Sequence, residues 1–275
     1  MRVATAAGGS PAASREKIRI TGAAKTFHVR GQEIKALAPV DLTVHAEEFV
    51  ALVGPSGCGK STILNLVAGL LQPNAGTVAY DGETVRDLNR RVGYMTQKDT
   101  LLPWRRTADN IRIALELRCR PTSRAEADDK VARIVELVGL KGFENHYPGE
   151  LSGGMRKRAL LARTLIYEPE SLLMDEPFGA LDAQLKLVML DQLQTLTQQR
   201  RMTVLFVTHD LGEAISLADR VVIFSARPGR IRAIRDIRLP RPRDVFKIRF
   251  TSDFARLHEE LWDELKDEVA KGTSI

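Results

Sequence analysis

Apolar residues recur along this chain with two periods, and the switches between them mark its elements. Over residues 18–49 the period is two: Ile18 and Ile20 alternate with polar positions, and Val40, Leu42 and Val44 repeat the pattern. That alternation predicts half-buried strands. Phe27 closes the first of these stretches; from spacing alone it either fills core or offers a ring on which a base can stack. Continuous apolar runs then appear at wide intervals, Phe49-Val50-Ala51-Leu52-Val53, Leu172-Leu173-Met174, Val204-Leu205-Phe206-Val207 and Val221-Val222-Ile223-Phe224. Short runs with no polar face predict buried strands of a parallel sheet. Between them, Thr77 to Glu83 carries an Asp81-Gly82 hairpin signal, and a short strand from Val92 delivers Gln97.

The helical period governs residues 61–70, 107–118, 123–138, 156–166 and 183–199. The third of these opens with the capping box Ser123-Arg124-Ala125-Glu126. Residues 98–163 are therefore expected to form a helical subdomain set into an α/β core. At its entrance, Leu101-Leu102-Pro103-Trp104 places large apolar residues beside a proline that prevents helix; they are either buried locally or an exposed docking surface. Beyond Pro240 and Pro242, Phe254, Leu257, Leu261, Leu265 and Val269 recur at helical spacing. The region 241–275 is thus expected to be a helical extension, packed on the core or on a partner. Residues 1–14, rich in Ala, Gly and Ser and without the apolar stretch of a secretory signal, are expected to be a disordered tail.

Composition narrows the class. With 275 residues, 44% of them hydrophobic, the chain can build one large α/β domain with room for an insertion. No apolar run reaches the roughly 18 residues a bilayer span needs. Two cysteines, Cys58 and Cys119, give no disulfide framework and suit a reducing cytoplasm. The five histidines show no zinc spacing, so the expected metal is Mg²⁺ held by oxygen atoms. The net charge of +6 points mildly to anionic partners. Much of it is local: Arg227, Arg230, Arg232, Arg235, Arg238, Arg241 and Arg243 form a run that is either a solvated face or a grip on phosphates.

The sharpest chemical signal is Gly54-Pro55-Ser56-Gly57-Cys58-Gly59-Lys60-Ser61-Thr62, which fits G-x-x-x-x-G-K-[ST] between a predicted strand and a predicted helix. Such a loop turns backbone amides inward at a helix N-terminus, adds Lys60 as a point charge for the β- and γ-phosphates, and offers the Ser61 hydroxyl to Mg²⁺. Cys58 is a variable position, read as a small residue whose amide binds rather than as a catalytic thiol. Leu151-Ser152-Gly153-Gly154-Met155 opens a second helix whose amides a ligand can approach, with Ser152 as N-cap. Asp175 and Glu176 end an apolar strand, so that in a parallel sheet they face the same crevice as the phosphate loop. Asp175 fits a Mg²⁺-holding acid, and Glu176 a base or water-positioning group. Gln97 and His209 end two further strands, where one suits a metal or water and the other a γ-phosphate.

In this order, the phosphate loop, Gln97, Leu-Ser-Gly-Gly, the Asp175-Glu176 strand and His209 resemble the nucleotide-binding subunit of an ABC transporter, over about residues 18–238. The resemblance implies a P-loop NTPase (RecA-like) α/β core spanning residues 15–240, with a β-rich N-terminal subdomain and the inserted helical one. It makes Phe27 the adenine-stacking aromatic, Gln97 the Q-loop, 151–155 the signature, Asp175 and Glu176 the Walker B pair, Ala180-Leu181-Asp182 the D-loop and His209 the switch histidine. Met155 stands where the family most often has Gln. Leu101-Leu102-Pro103-Trp104-Arg105 and Arg227-Pro228-Gly229-Arg230 resemble the ATPases of nitrate, sulfonate and taurine importers.

By that resemblance two copies would clamp two ATP molecules head to tail at the cytoplasmic face of the inner membrane. Each nucleotide would lie between the phosphate loop of one copy and the Ser152 helix of the other. Permease subunits would contact residues 97–104, and an extracytoplasmic solute-binding protein would supply the cargo. The rival reading is a soluble ABC-type ATPase gripping nucleic acid through the arginine run. Against it stand the single ATPase unit, the lack of a coiled-coil arm and the lack of aromatic residues among the arginines. A GTPase is disfavoured because no Asn-Lys-x-Asp-like stretch is present.

Overall fold

The alternating segments form the long strands β1 (Glu16–Val29) and β2 (Gln32–His45), paired antiparallel with Ile18 opposite Val44 and Phe27 opposite Ile34. In the computed structural model, which describes residues 15–29, 31–117, 122–179 and 181–273, these strands join β4 (Ala75–Tyr80) and β5 (Glu83–Thr84) in a sheet ordered β2-β1-β4-β5. The Asp81-Gly82 turn links β4 to β5 as the sequence predicts.

The continuous apolar runs form the second sheet, from β3 (Phe49–Val53), β6 (Val92–Met95), β7 (Ser171–Asp175), β8 (Thr203–Val207), β9 (Arg220–Phe224) and β10 (Ile231–Asp236), ordered β10-β9-β3-β8-β7-β6. All its pairings are parallel except β9 with β10. Its strands carry apolar residues on both faces because both faces are covered. Phe49, Ala51, Val53, Val204 and Phe206 point into one apolar layer, while Val50, Leu52, Leu205 and Val207 point into another shared with β1, β2 and the helix α1 (Lys60–Val67). Helix α1 ends earlier than the apolar pattern suggests. The chain reverses at Gly69, where the Leu70 amide closes on the Asn65 carbonyl at 2.9 Å.

The first layer also takes up helices α2 (Thr107–Glu116), α3 (Arg124–Leu137), α4 (Gly153–Leu165), α5 (Ala183–Gln199), α6 (Leu211–Leu217) and α7 (Ser252–Thr273). The capping box of α3 is only half formed: Ser123 accepts the Glu126 amide, but the Glu126 carboxylate turns to Lys130 at 3.2 Å. In α7, Phe254, Leu257, Leu261 and Leu265 are buried as the spacing predicts, and the helix packs on the core. Val269 departs from the pattern, since it is exposed and Glu268 is buried in its place.

Most of the arginine run serves the fold. Arg232 pairs with Glu268, Arg235 with Glu264, Arg238 with Asp236 and Arg241 with Asp219. Arg243 is buried and donates to the carbonyls of Ile215, Ala218 and Ile237 at 2.9, 2.7 and 3.0 Å. The expectations for residues 1–14, Arg118, Cys119 and Ala180 lie outside the described residues.

Candidate functional site

The carboxyl ends of β3, β6, β7 and β8 lie side by side in the sheet, and each delivers one part of the site. From β3 the chain runs into loop 54–59 and then α1. Gly59, at φ 104°, presses against β2, where an added Cβ would lie 2.8 Å from the Ala36 carbonyl oxygen. Only glycine permits both the left-handed backbone and this approach. Lys60 is buried, and its Nζ donates to the Gly54 and Pro55 carbonyls at 2.7 and 2.8 Å, which folds the ammonium back over the loop. Cys58 is buried, and burial pushes its thiol up despite the nearby Lys60.

Strand β7 separates its two acids. Asp175 is buried and accepts a hydrogen bond from Ser61, the first residue after Lys60. Burial raises its carboxyl above the ordinary value, with Glu176 adding to the rise and Ser61 and Lys60 opposing it. Glu176 is one residue further on at φ 45°, a left-handed conformation that costs a non-glycine residue about 1–2 kcal/mol. Its amide still bonds the Val207 carbonyl at 3.0 Å. The carboxylate meets Gln97 Nε2 from the end of β6 at 2.9 Å and His209 Nδ1 from the end of β8 at 3.7 Å. One carboxylate thus gathers two further predicted residues, while the neighbouring acid holds the hydroxyl that follows the loop lysine.

The remaining predicted residues occupy other positions. Phe27 is half-buried on β1 under Lys25, whose Nζ is 5.6 Å from the ring centre; β1 pairs with β2, the strand that contacts Gly59. Ser152 caps α4 by accepting the Met155 amide at 3.2 Å, and Ser152 and Gly153 are exposed. Asp182 caps α5 through the Leu185 amide at 2.9 Å.

Several supporting residues carry no motif signal and emerge only in the fold. Lys157 Nζ on α4 donates to the Gln97 carbonyl at 2.9 Å, Arg156 pairs with Asp99 at 3.1 Å, and Arg163 donates to the Thr100 carbonyl at 2.8 Å. The Asn110 side chain brackets Leu102, accepting its amide at 2.7 Å and donating to its carbonyl at 3.0 Å. These bonds fix residues 97–105 and leave Trp104 72% exposed. Lys186 joins Asp210 and Glu213, and Glu213 accepts the Thr208 hydroxyl at 2.6 Å, tying α5 to the loop that carries His209. An apolar groove of about 630 Å³ is lined by Leu70, Leu88, Val92, Tyr94, Leu117 and Tyr167 among others.

The donor set fits a nucleotide and a divalent cation: a glycine-built cradle, a lysine, and hydroxyl and carboxylate oxygens at Ser61 and Asp175. The ABC transporter family matches residues 37–179. An uncharacterized ABC transporter ATP-binding protein of Methanocaldococcus jannaschii is 43% identical over 255 residues, 93% of either chain. The aliphatic sulfonates import ATP-binding protein SsuB of Bacillus cereus is 40% identical over 226 residues, 82% of this chain and 88% of that one. Among solved structures, a dimeric bacterial ABC transporter cassette superposes with a TM-score of 0.74 at 30% identity, covering 81% of this chain and all of that one. A post-hydrolysis dimer bound to ADP and Pi gives 0.73 at 29% identity and covers the same shares.

Proposed function

This chain belongs to the ABC transporter family, and on that premise we propose that it is the ATP-hydrolysing subunit of an importer for a small anionic solute of the nitrate, sulfonate or taurine kind. The observation that carries the catalytic part is the Glu176 carboxylate, met by Gln97 at 2.9 Å and His209 at 3.7 Å beside the Ser61–Asp175 pair. Loop 54–59 and Lys60 bind the phosphates, and Thr62 completes the loop's entry into α1. Phe27 stacks on the adenine. Ser61, Gln97 and Asp175 are the residues that would hold Mg²⁺, which when bound would supply positive charge to neutralise the phosphates. Glu176 orients or deprotonates the attacking water, and Gln97 and His209 hold that carboxylate in place, with His209 free to donate to the γ-phosphate.

Ser152 and Gly153 are an exposed helix terminus suited to a second copy's nucleotide; Gly154, expected to join them, is buried against Leu185 of α5 and can contribute only through its backbone, and Asp182 begins that neighbouring helix. The dimeric solved relative supports a homodimer of this kind. Sulfonate importers at about 40% identity support the solute class and separate permease subunits. Among the described residues no helix is long and apolar enough to cross a membrane. In this reading, which the importer ATP-binding relatives support, the subunit works at the cytoplasmic face of the inner membrane through its permease, which collects solute from an extracytoplasmic binding protein. Exposed Trp104 and the apolar groove are the surfaces offered to the permease. The pairing of Arg232, Arg235 and Arg241 with acids, and the burial of Arg243, weaken the grip on which a nucleic-acid reading depends.

Glu176→Gln tests the site. It should retain Mg-ATP binding while phosphate release slows by about 10²–10⁴-fold, the usual worth of a positioned acid or base. Unchanged turnover removes Glu176 from the role.

A further inference from the structure

Near the end of α7 the apolar stripe breaks. Val269 is 36% exposed, and Glu268 is 4% exposed in its place. A buried carboxylate is costly unless it is paired and hydrogen-bonded, and Glu268 is fully engaged. Its Oε2 accepts the Ala226 amide at 2.9 Å, and its Oε1 accepts Lys271 Nζ at 2.8 Å and the Arg232 guanidinium. Lys271 first, and then the Ala226 amide, hold its carboxyl below the ordinary value.

Ala226 opens loop 226–230, which joins β9 to β10 and forms the back of the phosphate cradle. Gly229 bonds β2 in both directions, its amide to Ala36 at 3.0 Å and its carbonyl from Ala38 at 3.1 Å. It also lies so close to the cradle that an added Cβ would be 1.9 Å from the Cys58 carbonyl oxygen. Arg227 Nε donates to the Gly57 carbonyl at 3.3 Å. A trans peptide sets each N–H antiparallel to the carbonyl of the same plane. Holding the Gly57 and Cys58 carbonyls against this loop therefore directs the Cys58 and Gly59 amides to the opposite side, where the Cys58 amide closes on the Pro55 carbonyl at 3.4 Å and the Gly59 amide faces the cradle.

We propose that Glu268 is a positioning residue for nucleotide binding: through the Ala226 amide it fixes loop 226–230, and that loop fixes the peptide planes of the cradle. The C-terminal extension thereby sets ATP affinity without touching ATP. This rests on the reading of residues 54–62 as the ATP site.

The test is calorimetric titration of the full chain with Mg-ATP, together with steady-state hydrolysis. Glu268→Ala should weaken binding about threefold to tenfold, the range of one net hydrogen bond, raising KM while kcat holds. Glu268→Gln keeps an oxygen for the Ala226 amide and should stay within about twofold of wild type, a difference no larger than a few tenths of a kcal/mol. Leu261→Ala, a cavity in the same helix remote from the loop, should lower the melting temperature and leave ATP affinity alone. The proposal is overturned if Glu268→Ala binds like wild type, if Glu268→Gln is as weak as Glu268→Ala, or if Leu261→Ala weakens binding equally. Should Glu268→Ala not fold, Glu268→Asp retains the charge on a shorter arm and must show the same loss; wild-type affinity overturns the proposal. Lys60→Ala separates the two readings. If it binds ATP normally the cradle assignment fails, whereas loss in Lys60→Ala with none in Glu268→Ala defeats only the role of Glu268.

Discussion

Two adjacent carboxylates on β7 have opposite fates, decided by one backbone angle. Asp175 continues the strand and is buried, while Glu176, in the left-handed region, leaves the strand line and reaches Gln97 and His209. Because burial raises the Asp175 carboxyl, the native state holds that proton more tightly than the unfolded chain does. Its ionisation therefore subtracts stability as pH rises from the ordinary carboxylate range through the raised value, and the loss is complete above it. Asp175→Asn removes the buried charge. It should raise the melting temperature of the nucleotide-free protein at about pH 7, by about 2–4 °C for each kcal/mol recovered in a chain this large. The gain should shrink as pH falls into the carboxylate range. In thermal melts, Mg-ATP should stabilise the wild type and leave Asp175→Asn unmoved; an Asn variant melting below wild type at neutral pH would contradict the account. This is the trade between stability and function expected of a charge kept for its ligand.

At the scale of elements, three segments distant in sequence meet at the cradle: the middle of β2, loop 54–59 and loop 226–230. At Gly229 the junction is main chain against main chain, where the Cys58 carbonyl is the nearest group, while the Leu37 and Arg227 side chains close it at Gly59 and Gly57. Gly229→Ala would place a methyl carbon 1.9 Å from the Cys58 carbonyl oxygen. Relieving such overlap costs about 1–3 kcal/mol, part of which must appear as displaced cradle. Titration with Mg-ATP should therefore show a larger loss for Gly229→Ala than for Glu268→Ala, and a smaller one would mean that the loop yields independently of the cradle. Helix α4 has a comparable double duty. Its N-terminus presents Ser152, while its body holds residues 97–100 through Arg156, Lys157 and Arg163. The Ser152 terminus and the Gln97 segment are thereby held by one helix.

Across the whole molecule, the apolar groove and the catalytic crevice share a wall. Tyr94 lines the groove from β6, the strand that pairs with β7, at whose end Asp175 stands. A permease seated in the groove would sense the crevice through β6. Exposed apolar clusters of this kind mark contact surfaces. Leu88→Asp should abolish recovery of the chain with its permease in the membrane fraction while Mg-ATP titration of the isolated subunit is unchanged. Retained recovery would place docking elsewhere.

Local chemistry carried much of this protein in its sequence. The phosphate loop needs only neighbours in the chain, and the strands announce themselves by period or by continuous apolarity, so the core strands, the loop and the placement of Gln97, Glu176 and His209 just beyond strand ends are legible in the sequence. Other features depend on meetings across the chain. No spacing tells that Leu70, Leu88 and Leu117 share one groove, that Arg232, Arg235, Arg241 and Arg243 are spent on internal partners, or that Glu268 displaces Val269 from the core. Periodicity reports which face of an element is apolar. Only the tertiary structure decides what that face meets, because a buried charge is tolerated or rejected by partners that the local sequence does not contain.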